Sequence, residues 1–165
     1  MAEREFAVAG VYPISPIQFA LFLVSADRIP LEEKDPLVIS IDAVAAQGIQ
    51  ASRQLLDTPR PLTHALLADT LESLGATVSK VVITKFEQGT YFAVVHVKSK
   101  GGASFEKDAR PSDAVALALR TSSPIYVEDK VMEDTISTYE AGAREAYREV
   151  LKQIIEKDEL SLLVT

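Results

Sequence analysis

Asp108-Ala109-Arg110-Pro111-Ser112-Asp113-Ala114-Val115-Ala116-Leu117-Ala118-Leu119-Arg120 is the stretch that decides the fold. It passes from a charged strand end, through an Arg-Pro step, into a short and almost wholly apolar helix. Pro111 suits the first helical turn, where its missing N–H costs nothing, and it pushes Arg110 towards an extended conformation. Asp113 follows near the positive end of the helix dipole. The pattern predicts a buried helix over 112–120 with polar side chains at one edge of the core.

A second stretch, Thr58-Pro59-Arg60-Pro61-Leu62-Thr63-His64, brings the same Arg-Pro step to the start of another helix. Leucines recur at helical spacing after it, which predicts a helix over 63–74 that ends at Gly75. Arg60 and His64 therefore precede and open a helix, as Arg110 and Asp113 do in the first stretch.

Alternating and continuous apolar segments between turn residues predict the remaining elements. The predicted strands cover 5–11, 17–24, 37–41, 77–86, 90–98, 103–108 and 124–127. A helix is predicted over 43–56, because Asp42 is a good N-cap residue. These elements predict an α+β fold, with a bent, mainly antiparallel sheet that is flanked by helices and followed by a long C-terminal helix.

The last part of the chain differs in character. Apolar residues from Met132 to Ile154 recur in steps of three and four, with charged residues between them. This spacing predicts one long amphipathic helix with a heptad-like stripe. We therefore divide the chain into a domain over 1–131 and a helical extension over 132–165. Since the apolar stripe must be buried, we expect the extension to pack partly across a subunit boundary.

Composition limits the classes of protein. The 47% hydrophobic content argues against disorder, and the absence of cysteine excludes disulfides, a thiolate nucleophile and cysteine zinc sites. The sequence begins with no basic and apolar leader, and none of its apolar runs is long enough to span a bilayer. We therefore expect a cytoplasmic protein without a membrane partner. The net charge of −7 opposes nucleic-acid binding by bulk attraction, but residues 79–110 hold six basic against three acidic groups.

The polar residues of the two stretches offer hydrolytic chemistry, and each has a structural alternative. Asp108 and Asp113 could hold a divalent metal such as Mg²⁺ or Mn²⁺, or else cap the helix and pair with Arg110. Arg60 and Arg110 could hold phosphate at a helix N-terminus, or else pair with carboxylates. His64 is the better placed of two histidines for general acid–base work, or else it binds the backbone.

Together, the two stretches resemble the signatures of the bifunctional nuclease family, and the resemblance extends over residues 6–132. It implies an α+β domain, usually oligomeric, with DNase and RNase activity in some members. By this resemblance, Arg60 and Arg110 hold phosphate, Asp108 and Asp113 hold metal, and His64 and Asp113 are catalytic. The expected partners are nucleic acid, bound weakly, and further copies of the chain, with a dimer favoured.

Three positions depart from the family pattern. The family has Asp where this chain has Ala65, Gly where it has Asp42, and Glu where it has Ala45. Two carboxylates that could hold a metal or a water are therefore absent. An alternative function follows from this loss, namely a non-catalytic binding or regulatory subunit on the same scaffold.

Overall fold

The computed structural model describes the backbone of residues 2–163 and the side chains of residues 2–158. In this part of the chain, the strands are β1 (Glu3–Pro13), β2 (Gln18–Ser25), β3 (Leu37–Asp42), β4 (Thr77–Glu87), β5 (Thr90–Lys98), β6 (Ser104–Ala109) and β7 (Ile125–Glu128). The α-helices are α1 (Ala43–Arg53), α2 (Thr63–Ser73), α3 (Pro111–Thr121), α4 (Asp129–Ser137) and α5 (Ala143–Leu163). Each predicted strand is present, as are the first three predicted helices, with ends displaced by at most three residues.

The strands form one sheet in the order β3-β2-β1-β7-β4-β5-β6, curled into a half-barrel. All neighbouring strands are antiparallel except β4 and β7, which run parallel. The register shifts once in β1 and twice along β4, and such bulges bend a strand and increase its twist. The α+β class and the bent, mainly antiparallel sheet are thereby confirmed.

Helix α3 lies at the centre of the molecule, on the inner face of the sheet. Its residues 114–118 are all at most 3% exposed, and three of the five are alanines. Small side chains let the helix axis come close to the strands, while Val115 and Leu117 fill the space between them. The prediction that the helix over 112–120 is buried is therefore confirmed by α3. Helix α1 packs on the same face of the sheet through Ala46 and Ile49.

Helix α2 contributes little to the covering of the sheet, although its leucine spacing predicts a buried face. Ala65 is its only buried residue, while Leu66, Leu67 and Leu74 at its end are 44–69% exposed. The helix packs mainly on α3, outside the layer that α1 and α3 already fill. The leucine spacing predicted the helix correctly but not its surroundings, because an apolar stripe does not say which surface covers it.

The predicted long C-terminal helix is confirmed as the 21-residue α5, but the prediction that it runs without a break from Met132 is wrong. Helix α4 ends at Ser137, and the chain turns through residues 138–142 before α5 begins. Gly142 has a φ of +85°. This value lies outside the helical range, and glycine adopts it more readily than other residues do. The Tyr139 hydroxyl fixes the turn by donating to the carbonyl of Pro36 at 3.1 Å.

The two C-terminal helices cover opposite faces of the sheet. Val131 and Met132 of α4 join the inner core, whereas Leu151 and Ile154 of α5 pack on Phe22 and its neighbours on the outer face. The apolar stripe of α5 is thus covered by its own chain, so it no longer supports packing across a subunit boundary. Homo-oligomerisation and the division at residue 131, which falls inside α4, stay predictions.

Replacement of Leu151 by alanine tests this packing. Leu151 is 1% exposed, and removing a buried leucine side chain typically lowers the free energy of unfolding by about 2–5 kcal/mol. The matched control is Leu74→Ala, since Leu74 is 69% exposed and its loss should change stability by less than about 0.5 kcal/mol. Urea denaturation measures both. Equal midpoints for the two variants would show that α5 does not pack on the sheet in solution.

Candidate functional site

The start of α3 has the geometry that its sequence predicts. Arg110 is the N-cap residue, in an extended conformation with φ −65° and ψ 142°, and Pro111 occupies the first helical position. Asp113 lies in the first turn, where the free backbone N–H groups favour a negative charge. The Arg-Pro step therefore fixes the direction from which the arginine approaches the helix.

Asp113 joins two positively charged or polar partners from different elements. Its Oδ2 atom accepts a hydrogen bond from Nε of Arg110 at 2.8 Å, and its Oδ1 atom lies 3.0 Å from Nε2 of His64. The predicted pairing of Arg110 with a carboxylate is confirmed. The contact with His64 was not predicted, although both residues were candidates. It connects the first turn of α2 to the first turn of α3.

The pKa of the Asp113 carboxyl lies below its ordinary value of 3.8. Partial burial alone would raise this pKa, but the hydrogen bonds from Arg110 and His64, and the charge of Arg110, lower it further than burial raises it. In turn, the hydrogen bond and charge of Asp113 raise the pKa of Arg110, and the nearby charge of Asp42 adds to the effect. At neutral pH the site therefore contains an ionised Asp113 and a charged Arg110.

The His64 ring fits against the backbone of α1. A Cβ atom on Gly48 would lie 2.9 Å from Cε1 and 3.1 Å from Nδ1 of His64, closer than side chains approach one another. Because the ionised Asp113 carboxylate can only accept, Nε2 of His64 carries a proton and donates to it, while Nδ1 faces α1. In this orientation, the contact of His64 with Asp113 holds the Asp113 carboxylate in position. Its general acid–base role stays a prediction.

The other two candidates lie apart from this network. Asp108 is exposed and pairs in register with Val94, whose neighbour Ala93 faces the core. Since side chains alternate along a strand, Asp108 points to the face of the sheet away from α3. Arg60 is exposed in the loop before α2, where Leu62 and not Arg60 is the N-cap residue. The roles of Asp108 in metal binding and Arg60 in phosphate binding stay predictions.

A cavity of about 710 Å³ opens beside the first turn of α3. Its walls are the edge strand β3, the turn end of the β4–β5 hairpin, the start of α3 and the turn 138–142. Arg110 and Asp42 line it, together with Ser40, Tyr91 and Tyr139. No local sequence pattern marks the tyrosines as site residues, because the elements that carry them are distant along the chain.

The two tyrosines are held in place by their hydroxyls. The Tyr91 hydroxyl lies 3.1 Å from Oγ1 of Thr135, and the Tyr139 hydroxyl donates to Pro36 as described above. Burial raises the pKa of both phenols, so both remain protonated at neutral pH. The rings are therefore fixed parts of the cavity wall.

The candidate metal ligands were tested against this geometry. Both oxygens of Asp113 are already hydrogen-bonded, and Asp108 points to the other face of the sheet, so this pair does not fit a shared ion. Among the described residues, no group of three or more His, Cys, Asp or Glu side chains is arranged to hold a metal. Mg²⁺ often uses only one or two carboxylates, together with water and substrate phosphate.

The contact between Gly48 and His64 leads to a sharp prediction. In a helix interior, Gly→Ala normally stabilises by about 1 kcal/mol, but Gly48→Ala should instead be neutral or destabilising, because the new methyl group meets the imidazole. In a His64→Ala background, where the imidazole is absent, Gly48→Ala should instead increase the free energy of unfolding. A double-mutant cycle by urea denaturation measures the coupling. A stabilising Gly48→Ala in the wild-type background would contradict the contact.

The lowered pKa of Asp113 predicts a pH dependence of stability. The folded chain favours the ionised carboxyl, so the stabilisation is present above the ordinary pKa of 3.8 and is lost as the pH falls through the lower folded value. Because the side chain is 41% exposed, we expect less than about 1 kcal/mol. Urea denaturation from pH 7 to pH 3 should show a steeper loss for wild type than for Asp113→Asn. The exposed Asp57→Asn control should follow wild type.

Comparison with known proteins adds two kinds of relative. Two uncharacterized proteins from two strains of Mycobacterium tuberculosis are each 38% identical over 96 residues, which cover 58% of this chain and 56% of theirs. A protein named Bifunctional nuclease 1, from Arabidopsis thaliana, is 29% identical over 93 residues, which cover 55% of this chain but 28% of its own. The chain thus spans about half the length of its bacterial relatives.

The sequence model of the bifunctional nuclease domain matches residues 30–140. The match begins later and ends slightly further along the chain than the resemblance over 6–132 had suggested. It includes α1, α2, α3 and most of the residues that line the cavity, whereas Ala143 and Tyr147 lie beyond its end. Because the match covers more than half of the chain, this protein belongs to the bifunctional nuclease domain family.

Proposed function

We propose that this protein is a nuclease that cleaves phosphodiester bonds of DNA or RNA with the help of a divalent cation such as Mg²⁺ or Mn²⁺. The observation that carries the proposal is the position of Arg110. It stands at the N-terminus of α3 on the wall of the cavity and uses only Nε to bind Asp113. Within the described part of the chain, no hydrogen bond occupies its two terminal nitrogens, which suit a phosphate.

The roles of the other residues follow from this placement. Asp113 fixes the direction of the Arg110 guanidinium, and His64 fixes Asp113 from the opposite side. Arg60, in the exposed loop before α2, would contact a neighbouring phosphate. A divalent cation would supply positive charge and a metal-bound water at the scissile phosphate. Asp42 and Glu140 are the carboxylates on the cavity wall, and Asp42, whose side chain already accepts from the backbone of Ala45, is the one whose charge acts on Arg110.

Charge near the site predicts that nucleic acid binds weakly. The carboxylates of Asp113 and Asp42 both act on Arg110 and offset its charge. In the basic segment of residues 79–110, Lys80 forms an ion pair with Glu3 and Lys85 forms one with Glu87, which lowers the positive charge that is available to phosphates. We therefore expect few phosphate contacts and a shallow dependence of affinity on salt.

A second candidate function is a non-catalytic binding or regulatory subunit. Ala45, which stands where the family pattern has Glu, lines the cavity. Ala65, which stands where it has Asp, is 6% exposed, so its methyl group is packed in the core. This chain thus presents a methyl group to the cavity where a carboxylate would activate water. If the protein is a non-catalytic subunit, the cavity still binds nucleic acid, and only the cleavage activity is lost.

Incubation with plasmid DNA or total RNA, in Mg²⁺, Mn²⁺ or EDTA, tests the proposal. We expect cleavage with a metal, and a loss of about 10- to 100-fold in Arg110→Ala, since a hydrogen bond to a charged group is removed. The matched control, Arg28→Ala, changes an exposed arginine in the turn after β2 and should retain activity. Binding without cleavage in any condition would favour the non-catalytic function. Cleavage in EDTA would contradict the proposed requirement for a divalent cation.

A further inference from the structure

The cavity beside α3 has the size of a small-ligand site. Its volume of about 710 Å³ lies within the range of roughly 300–1,000 Å³ that such sites occupy. It is an open cleft bordered by β3 on one side, by the hairpin turn on another, and by the turn 138–142. A base that is paired and stacked inside a duplex would have to leave the stack to enter such a space.

The walls carry aromatic rings in fixed orientations. Tyr139 contacts Tyr147 edge to face, with ring centroids 5.0 Å apart, and Tyr91 stacks on Phe86 with centroids 4.4 Å apart. All four rings line the cavity. Because the Tyr91 and Tyr139 hydroxyls are hydrogen-bonded away from the cavity, the rings need no ordering when a flat ligand stacks on them. Aromatic walls of this kind bind nucleic-acid bases with little dependence on sequence.

The third wall supplies hydrogen-bonding groups. Among the described residues, strand β3 is at the edge of the sheet and pairs only with β2, so alternate backbone N–H and C=O groups point away from the sheet. Ile39, Ser40 and Ile41 of this strand line the cavity. Outward-pointing backbone groups beside a stacked ring can bind the Watson–Crick edge of a base.

Charge determines which part of a nucleotide enters. Arg110 is the only basic residue on the cavity wall among the described residues, and Asp42 and Glu140 line the same cavity. This set admits a neutral base and one phosphate at Arg110, and it repels additional phosphates. A long polyanion therefore cannot run through the cavity.

We infer that the cavity binds one unpaired nucleotide, with its base against Tyr139 and Tyr91 and its phosphate at Arg110. The substrate class is therefore single-stranded nucleic acid or an unpaired end. This inference rests on the proposed function for its choice of ligand, but it concerns binding and does not require cleavage.

The test is a fluorescence anisotropy titration in EDTA and low salt, where cleavage is suppressed. The probes are a labelled ten-residue oligothymidylate, an RNA oligonucleotide of the same length, and a blunt DNA hairpin. We expect at least about 10-fold tighter binding of the single strands. Tyr139→Ala should weaken it by about 5- to 100-fold, whereas Tyr139→Phe, which keeps the ring, should remain within about 3-fold of wild type.

Phe92→Ala is the matched control, because Phe92 is a 39% exposed aromatic residue beside Lys85, outside the cavity. Its affinity should equal that of wild type. Intrinsic fluorescence gives a readout that needs no variant, since the chain has five tyrosines and no tryptophan. A base stacked on Tyr139 or Tyr91 should quench this emission as the single strand is added.

Three results would overturn the inference: equal affinity for the hairpin and the single strands, an affinity of Tyr139→Ala equal to that of wild type, or no quenching at saturation. Displacement of the oligonucleotide by an extended apolar peptide at equal concentration would instead assign β3 to peptide binding. Single-strand binding by a protein that cleaves nothing would overturn the nuclease and leave this site intact. Cleavage by the wild-type protein, together with unchanged oligonucleotide binding by Tyr139→Ala, would overturn this site and leave the nuclease proposal intact.

Discussion

The burial of α3 against the inner face of the curled sheet is the constraint on which the rest of the structure depends. Residues 114–118 leave almost no surface exposed, so the helix cannot rotate or slide without separating alanine methyl groups from the strands. A helix fixed in this way also fixes its first turn. The polar residues at that turn therefore hold a defined position at the edge of a rigid core, as a functional site requires.

Asp113 extends this rigidity to the neighbouring helix. Helix α2 buries only one residue fully, and the contacts of His64 with Asp113 and Gly48 add to the packing of its partly buried Ala68 and Leu71. The same carboxylate directs Arg110 towards the cavity. One side chain thus connects the packing of three helices to the orientation of the candidate phosphate-binding group.

The cavity combines two parts of the fold that serve different purposes. Curling of the sheet brings the edge strand β3 towards the β4–β5 hairpin, and the break between α4 and α5 closes the space between them. That break also lets α5 cross to the outer face, where it covers Phe22. A continuous helix from Met132 could not do both, so the turn at 138–142 forms a wall of the site and completes the second core.

Local patterns in the sequence determined most of the elements, because capping, proline geometry and apolar spacing act within a few residues. Asp42 as an N-cap, Pro111 at the first helical position and the positive φ of Gly75 follow from such short-range rules. The family also followed from short motifs. The pairing of Arg110 with Asp113 was predictable for the same reason, as the two are one helical turn apart.

Tertiary structure alone decided which distant groups meet. His64 reaches Asp113 across 49 residues, and Tyr139 reaches Pro36 across 103, contacts for which the sequence carries no local signal. The face to which Asp108 points depended on the register of β6, and a shift of one residue would reverse it. The apolar stripe of the tail predicted burial correctly but not the burying surface, because hydrophobicity has no direction.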